Sequence, residues 1–243
     1  MKVSLFITCV ADAMYPEVGE SVVRILQRYG VDDIDFPMEQ TCCGQPAFNS
    51  GYWDEARQVA KNWLDAFKDS EYIVAPSGSC VGMIVHNYLE LMEDDPYYKS
   101  LAETLIPRTF EFTQFLVEVL KVTDLGATSK QRVTFHPSCH CSRFLGVVDP
   151  PKNLLENVRG IDYVELPHPD QCCGFGGTFS VKMSDLSRAM VDEKVENIEK
   201  TNAEVLVGTD LGCLMNIAGR LQRENKAIQV RHIAQFLDEG MDS

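Results

Sequence analysis

The chain has 243 residues, 45% of them hydrophobic and 24% charged, with 22 basic against 36 acidic side chains for a formal net charge of −14. That length can bury one large core or two ordinary ones, and the composition is that of a globular protein. The acidic balance repels phosphate backbones and anionic lipid heads, which argues against nucleic acid and membrane surfaces as partners, and no apolar run approaches the length of a transmembrane segment.

The first apolar run, residues 2–8, is very short. Lys2 is the only basic residue at its start and Asp12 breaks the stretch that follows, so it reads as a buried strand and not as an export signal. Residues 17–29 then place Val18, Val22, Ile25, Leu26 and Tyr29 on one helical stripe, and residues 54–68 do the same with Ala56, Val59, Ala60, Trp63, Leu64 and Phe67. Residues 72–75 are a second strand, residues 132–135 a third and residues 205–207 a fourth. Residues 184–200 form another amphipathic helix, with Ser180 or Ser184 as its expected cap. Short apolar runs without alternation suit strands covered on both faces of a parallel sheet. Alternating strands and helices predict an α/β fold.

Nine cysteines stand out in a chain of this kind. With no export signal and a reducing cytoplasm as the expected location, they read as metal ligands, redox groups or inert core residues. Their order is repeated. Residues 133–139 (VTFHPSC) align on residues 3–9 (VSLFITC), and the same offset carries Cys42, Cys43 and Gly44 onto Cys172, Cys173 and Gly174. After a small insertion, residues 207–213 (VGTDLGC) fall on residues 74–80 (VAPSGSC). The chain therefore divides into two homologous open parallel-sheet halves, residues 1–124 and 132–243, expected to pack as a pseudo-two-fold pair.

Cys9, Cys80, Cys139 and Cys213 each follow a predicted strand, and each Cys-Cys-Gly precedes a helix. All four thiols of a half can thus meet at the carboxyl edge of one sheet. Four thiolates satisfy zinc by count, but adjacent cysteines project poorly toward one ion and better suit a polynuclear iron–sulfur cluster. Gly44 and Gly174 let backbone amides approach such a group closely. Cys141 has no counterpart in the first half and reads as a core residue. His136 and His140, flanking Cys139, read first as hydrogen-bonded structural residues. The GFGG stretch at 174–177 reads as a close-approach loop over the site.

These cysteines resemble those of the cysteine-rich CCG family, which includes a component of heterodisulfide reductase and the iron–sulfur proteins of glycolate and anaerobic glycerol-3-phosphate oxidation. The stretches TCCGQPAFNSG, APSGSC, CCGFGGTFSVKM and GCLMNIAG look like signatures of its lactate-utilisation branch. The resemblance implies a metal site on Cys9, Cys42, Cys43 and Cys80 and another on Cys139, Cys172, Cys173 and Cys213, in an electron-transfer component of an L-lactate oxidation system. It implies an iron–sulfur cofactor of the 4Fe–4S type, and partner subunits in a redox complex. One family cysteine is replaced in each half, by Ser77 and by Asp210, so an oxygen ligand at those positions or zinc in one half is also admitted. Arg143 is the candidate if the chain itself binds a carboxylate.

Overall fold

The computed structural model describes residues 1–241. The first half forms a parallel sheet from β1 (Lys2–Leu5), β2 (Asp33–Asp35), β3 (Tyr72–Ala75) and β4 (Thr109–Glu111), in the order β2-β1-β3-β4. The second repeats it with β5 (Arg132–His136), β6 (Asp162–Tyr163), β7 (Val205–Gly208) and β8 (Gln229–His232), in the order β6-β5-β7-β8. Even the register is shared: Leu5 pairs with Val74 in one sheet and Phe135 with Val207 in the other. The expected α/β architecture of two homologous parallel sheets is present.

Helices cover both faces of each sheet, which is why the central strands are continuous apolar runs. In the first half these are α1 (Cys9–Met14), α2 (Pro16–Arg28), α3 (Gln45–Asn49), α4 (Trp53–Phe67), α5 (Gly78–Leu91), α6 (Pro96–Leu105) and α7 (Phe112–Gln114). The second half has α8 (Asp149–Glu156), α9 (Thr178–Lys182), α10 (Ser184–Glu199), α11 (Leu211–Arg223) and α12 (Ile233–Met241). Helix α7 runs into a wide turn at Phe115–Val119, and a similar turn at His140–Phe144 follows β5. Neither expected serine caps α10: the residue before it is Met183, and Ser180 lies in α9 with its hydroxyl donating to Gly177 O at 2.8 Å. Among the described residues no helix is long and apolar enough to cross a membrane.

The halves share a core. Helix α2 of the first half packs on α12 of the second, and α8 of the second on α7 of the first. Val22, Leu26, Phe112 and Leu116 are thereby buried with Phe135, Leu154, Ile233 and Leu237 in one cluster. Arg24 Nη2 joins Asp238 at 2.6 Å across the α2–α12 pair. Each half also has a flanking core. In the first, Phe6 meets Trp63 and Phe67 edge-on at 5.8 and 5.7 Å between centroids.

Glu111 and His232 occupy equivalent ends of β4 and β8, pairing with Ala75 and Gly208. Both cap the helix that follows. Glu111 Oε2 accepts from the amides of Thr113 at 2.7 Å and Gln114 at 3.2 Å. His232 Nδ1 accepts from Ala234 N at 3.2 Å, which leaves Nε2–H to donate to Thr209 O at 3.0 Å. Burial drives the two in opposite senses, His232 down to about 4 and Glu111 up to about 7.

Two outcomes follow from this packing. Leu26→Ala should cost about 2–5 kcal/mol in denaturant unfolding and shift a single transition for both halves; a second, unmoved transition would contradict the shared core. Glu111 binds its proton more tightly when folded, so its contribution is present below the unfolded carboxyl value and lost as pH rises toward about 7. Glu111→Gln should remove that loss, of about 3 kcal/mol, seen as a stability difference from the parent chain that grows between pH 5 and pH 8. A difference independent of pH would contradict the assignment.

Candidate metal centre

In each sheet the strand order reverses between the two central strands, and it is outside the carboxyl ends at such a reversal that open α/β sheets bind ligands. Cys9 opens α1 directly after β1, and Cys80 lies in the first turn of α5 after β3. Cys139 follows β5, and Cys213 lies in the first turn of α11 after β7. These four cysteines therefore flank the two switch points. The adjacent pairs Cys42–Cys43 and Cys172–Cys173 arrive on loops pinned from α5 and α11: Tyr88 Oη donates to Cys43 O at 3.0 Å, and Asn216 Nδ2 donates to Cys173 O at 2.8 Å.

The eight cysteines line a single cavity of about 170 Å³, to which both halves contribute walls. Cys9 Sγ lies 3.8 Å from Cys42 Sγ. The amide of Gly44 points at Cys42 Sγ at 3.5 Å, and that of Gly174 at Cys172 Sγ at 3.4 Å. Both glycines have left-handed backbones, with φ of 85° and 81°. A Cβ on Gly44 would lie 3.3 Å from Ala56 O, and one on Gly174 only 2.5 Å from Ser187 O. The loop must press against α4 in the first half and α10 in the second to aim these amides, and only glycine permits it.

Negative charge is concentrated on one thiol of each pair. Cys42 is drawn down to about 3, first by hydrogen bonds from Cys43 and Cys9 and then by the Gly44 amide. Cys172 is drawn down to about 2, first by Cys139 and then by Cys173. Their neighbours shift the opposite way: Cys9, Cys43, Cys139 and Cys173 are all pushed up, each first by its hydrogen bond to the charged thiol. Cys213 is lowered to about 6, first by Cys173. Thiols so crowded and buried do not ionise together without a cation among them, and a metal group is what would supply one. The donor set fits such a group.

Ser77 and Asp210, which stand where the family pattern has a further cysteine, also line the cavity. They meet across the pseudo-two-fold axis: Ser77 Oγ donates to Asp210 Oδ1 at 2.9 Å, and the Ser79 amide donates to the same oxygen at 2.9 Å. Asp210 Oδ2 is buried and has no hydrogen-bond partner. Cys141 lies apart from both sets, packed so closely on Gly78 that a Cβ there would fall 2.4 Å from its own. Arg143 is exposed and does not line the cavity. His140 Nδ1 is 3.5 Å from Cys139 Sγ. Gly176 and Gly177 line the cavity, while the Phe175 ring fills the space beside Gly212.

His136 does not make the hydrogen bonds expected of it. It is buried, neither ring nitrogen has a hydrogen-bond partner, and one of them lies within 4.8 Å of both Cys173 Sγ and Cys213 Sγ. Lys194, buried behind the same set, donates to His168 O at 3.2 Å and is not among the residues expected at the site from sequence. The repeat itself carries the signal, since it aligns His136 with Phe6.

The cysteine-rich domain family designated CCG matches residues 3–85 and 133–218. Lactate utilization protein A of Oceanobacillus iheyensis is 56% identical over 238 residues, covering 98% of this chain and 97% of its own. Lactate utilization protein A of Halalkalibacterium halodurans is 52% identical over 238 residues, with the same shares covered. Lactate utilization protein A 2 of Bacillus cereus is 53% identical over 242 residues and 100% of both chains. Among solved structures, an aspartate racemase homologue from Pyrococcus horikoshii aligns over 99% of this chain and 97% of that one at 12% identity, with a TM-score of 0.35.

The two glycine contacts give a graded expectation. Gly44→Ala should cost about 1–2 kcal/mol for the left-handed backbone alone, and Gly174→Ala should cost more, because its Cβ meets a backbone oxygen that cannot yield. Equal costs in denaturant unfolding, or the reverse order, would show that the second loop is not pressed on α10 as described.

Proposed function

Because the chain belongs to the cysteine-rich CCG family, and its full-length relatives are lactate utilization A proteins, we propose that it is an iron–sulfur electron-transfer component of an L-lactate oxidation system. The observation that carries this reading is the convergence of eight repeat-related thiols on one cavity. Cys9, Cys42, Cys43 and Cys80 would hold one group, and Cys139, Cys172, Cys173 and Cys213 the other. Four thiols per half suit a 4Fe–4S type, with zinc in one half as the competing occupant. Once bound, such a cluster takes up and releases single electrons.

The chain's own contribution is to hold the thiols in place and stabilise their charge. The Gly44 and Gly174 amides donate to the sulfurs that carry most of it. The bond between Ser77 and Asp210 closes the wall between the two sets. We take residues 1–124 and 132–243 as the two repeats, the cytoplasm as the compartment that keeps the thiols reduced, and the other members of a lactate-oxidising complex as the partners. The lactate carbon chemistry is assigned to those partners, since no lysine or arginine is among the residues that line the cavity to hold a carboxylate, and Arg143 stands outside it.

Iron and acid-labile sulfide measured on anaerobically purified protein test this. Both should be present, and Cys42→Ser and Cys172→Ser should each remove about half of the content, as expected for thiolate-held clusters. Zinc without sulfide, or no metal after anaerobic reconstitution, would overturn the reading.

A further inference from the structure

The two cysteine sets are backed by different chemistry, and we propose that His136 is a metal ligand of the second-half site, acting with Cys173 and Cys213. The proposal rests on the cluster reading above and makes the two sites chemically distinct, the second bearing an imidazole nitrogen and the first thiolates alone.

The strand registers place Phe6 and His136 at equivalent points beyond Leu5 and Phe135. In the first half this point is sealed by hydrocarbon, with Phe6 edge-on to Trp63. In the second half both partners change. The helix register that sets Ala56 opposite Gly44 and Ser187 opposite Gly174 brings Lys194 to the place of Trp63. Lys194 Nζ donates to His168 O at 3.2 Å and Pro169 O at 3.4 Å, tying down the loop that leads to Cys172.

A buried histidine kept only for structure should have its nitrogens paired. His232, in this same chain, does: both of its nitrogens are hydrogen-bonded. His136 is 2% exposed with both nitrogens unpaired. Leaving a buried polar group unpaired is costly, and in the first half a phenylalanine fills the equivalent point. The side chain instead stands with Cys173 and Cys213, its ligand atom and their sulfurs all within 4.8 Å of one another. Three separate elements, β5, the Cys-Cys-Gly loop and α11, supply these three donors. Mixed imidazole and thiolate sets are common at zinc sites and occur at Rieske-type iron–sulfur centres.

The test is pulsed electron paramagnetic resonance on the full chain, reconstituted anaerobically with iron and sulfide, reduced, and labelled with ¹⁵N-histidine. His136→Phe borrows the first half's own residue, and His136→Gln is a second variant should Phe not fold beside Lys194. The expected result is a nitrogen coupling of directly bonded strength that responds to the label in the parent chain and is lost in either variant. A loaded second site without such a coupling, or a coupling that survives both variants and so belongs to another histidine such as His140, would overturn the proposal while leaving the cluster reading intact. Absence of iron and sulfide from the parent chain would overturn both.

Discussion

Thiolates repel one another, and eight thiols around one small cavity form the constraint on which this molecule turns. Water relieves it only in part, because Cys9 is exposed but Cys43, Cys173 and Cys213 are buried. The protein's own means go only as far as one lowered thiol in the first half, Cys42, and two in the second, Cys172 and Cys213, supported by hydrogen bonds from neighbouring thiols and, at Cys42 and Cys172, by a glycine amide. Further ionisation requires a cation. The features around the cavity make sense in that light: left-handed glycines that bring amides to sulfur, and side chains from α5 and α11 that hold the second cysteine's carbonyl in each half.

That convergence depends on how the halves are joined. Strand order alone gathers four thiols at the carboxyl edge of one sheet. Bringing two edges to one cavity takes the exchange of helices across the pseudo-two-fold axis, α2 on α12 and α8 on α7, with a single hydrophobic core beneath. At the axis, Ser77 and Asp210 bond to one another. Two equivalent positions hold a hydroxyl donor and a carboxylate acceptor, a pairing that ionised aspartate at both would lack. Glu111 and His232 differ similarly, each capping its helix with a different chemistry.

Much of this was legible in the sequence, and the remainder has physical reasons for being hidden. The four central strands show as apolar runs because helices cover both of their faces. Of the four outer strands, DID at Asp33–Asp35 and DY at Asp162–Tyr163 are too short and too polar to show. Helix α5 is apolar nearly all round because it is buried, so it has little of the one-sided stripe that reveals α2 and α4. The repeat located the cysteines and, through the family resemblance, pointed to Ser77 and Asp210. It carried no information on the mutual placement of the halves, so neither the common cavity nor the bond between those two residues was visible. His136 was visible but read as a hydrogen-bonded structural residue, and its nitrogens make no such bonds.

The central claim is that both cysteine sets hold iron around one shared cavity. Anomalous diffraction at the iron absorption edge, from crystals grown and cooled without oxygen, tests it most directly. The account predicts two separate groups of iron, related by the pseudo-two-fold axis, one beside Cys42 and the other beside Cys172. Iron at neither set, or zinc in place of iron at both, would contradict it.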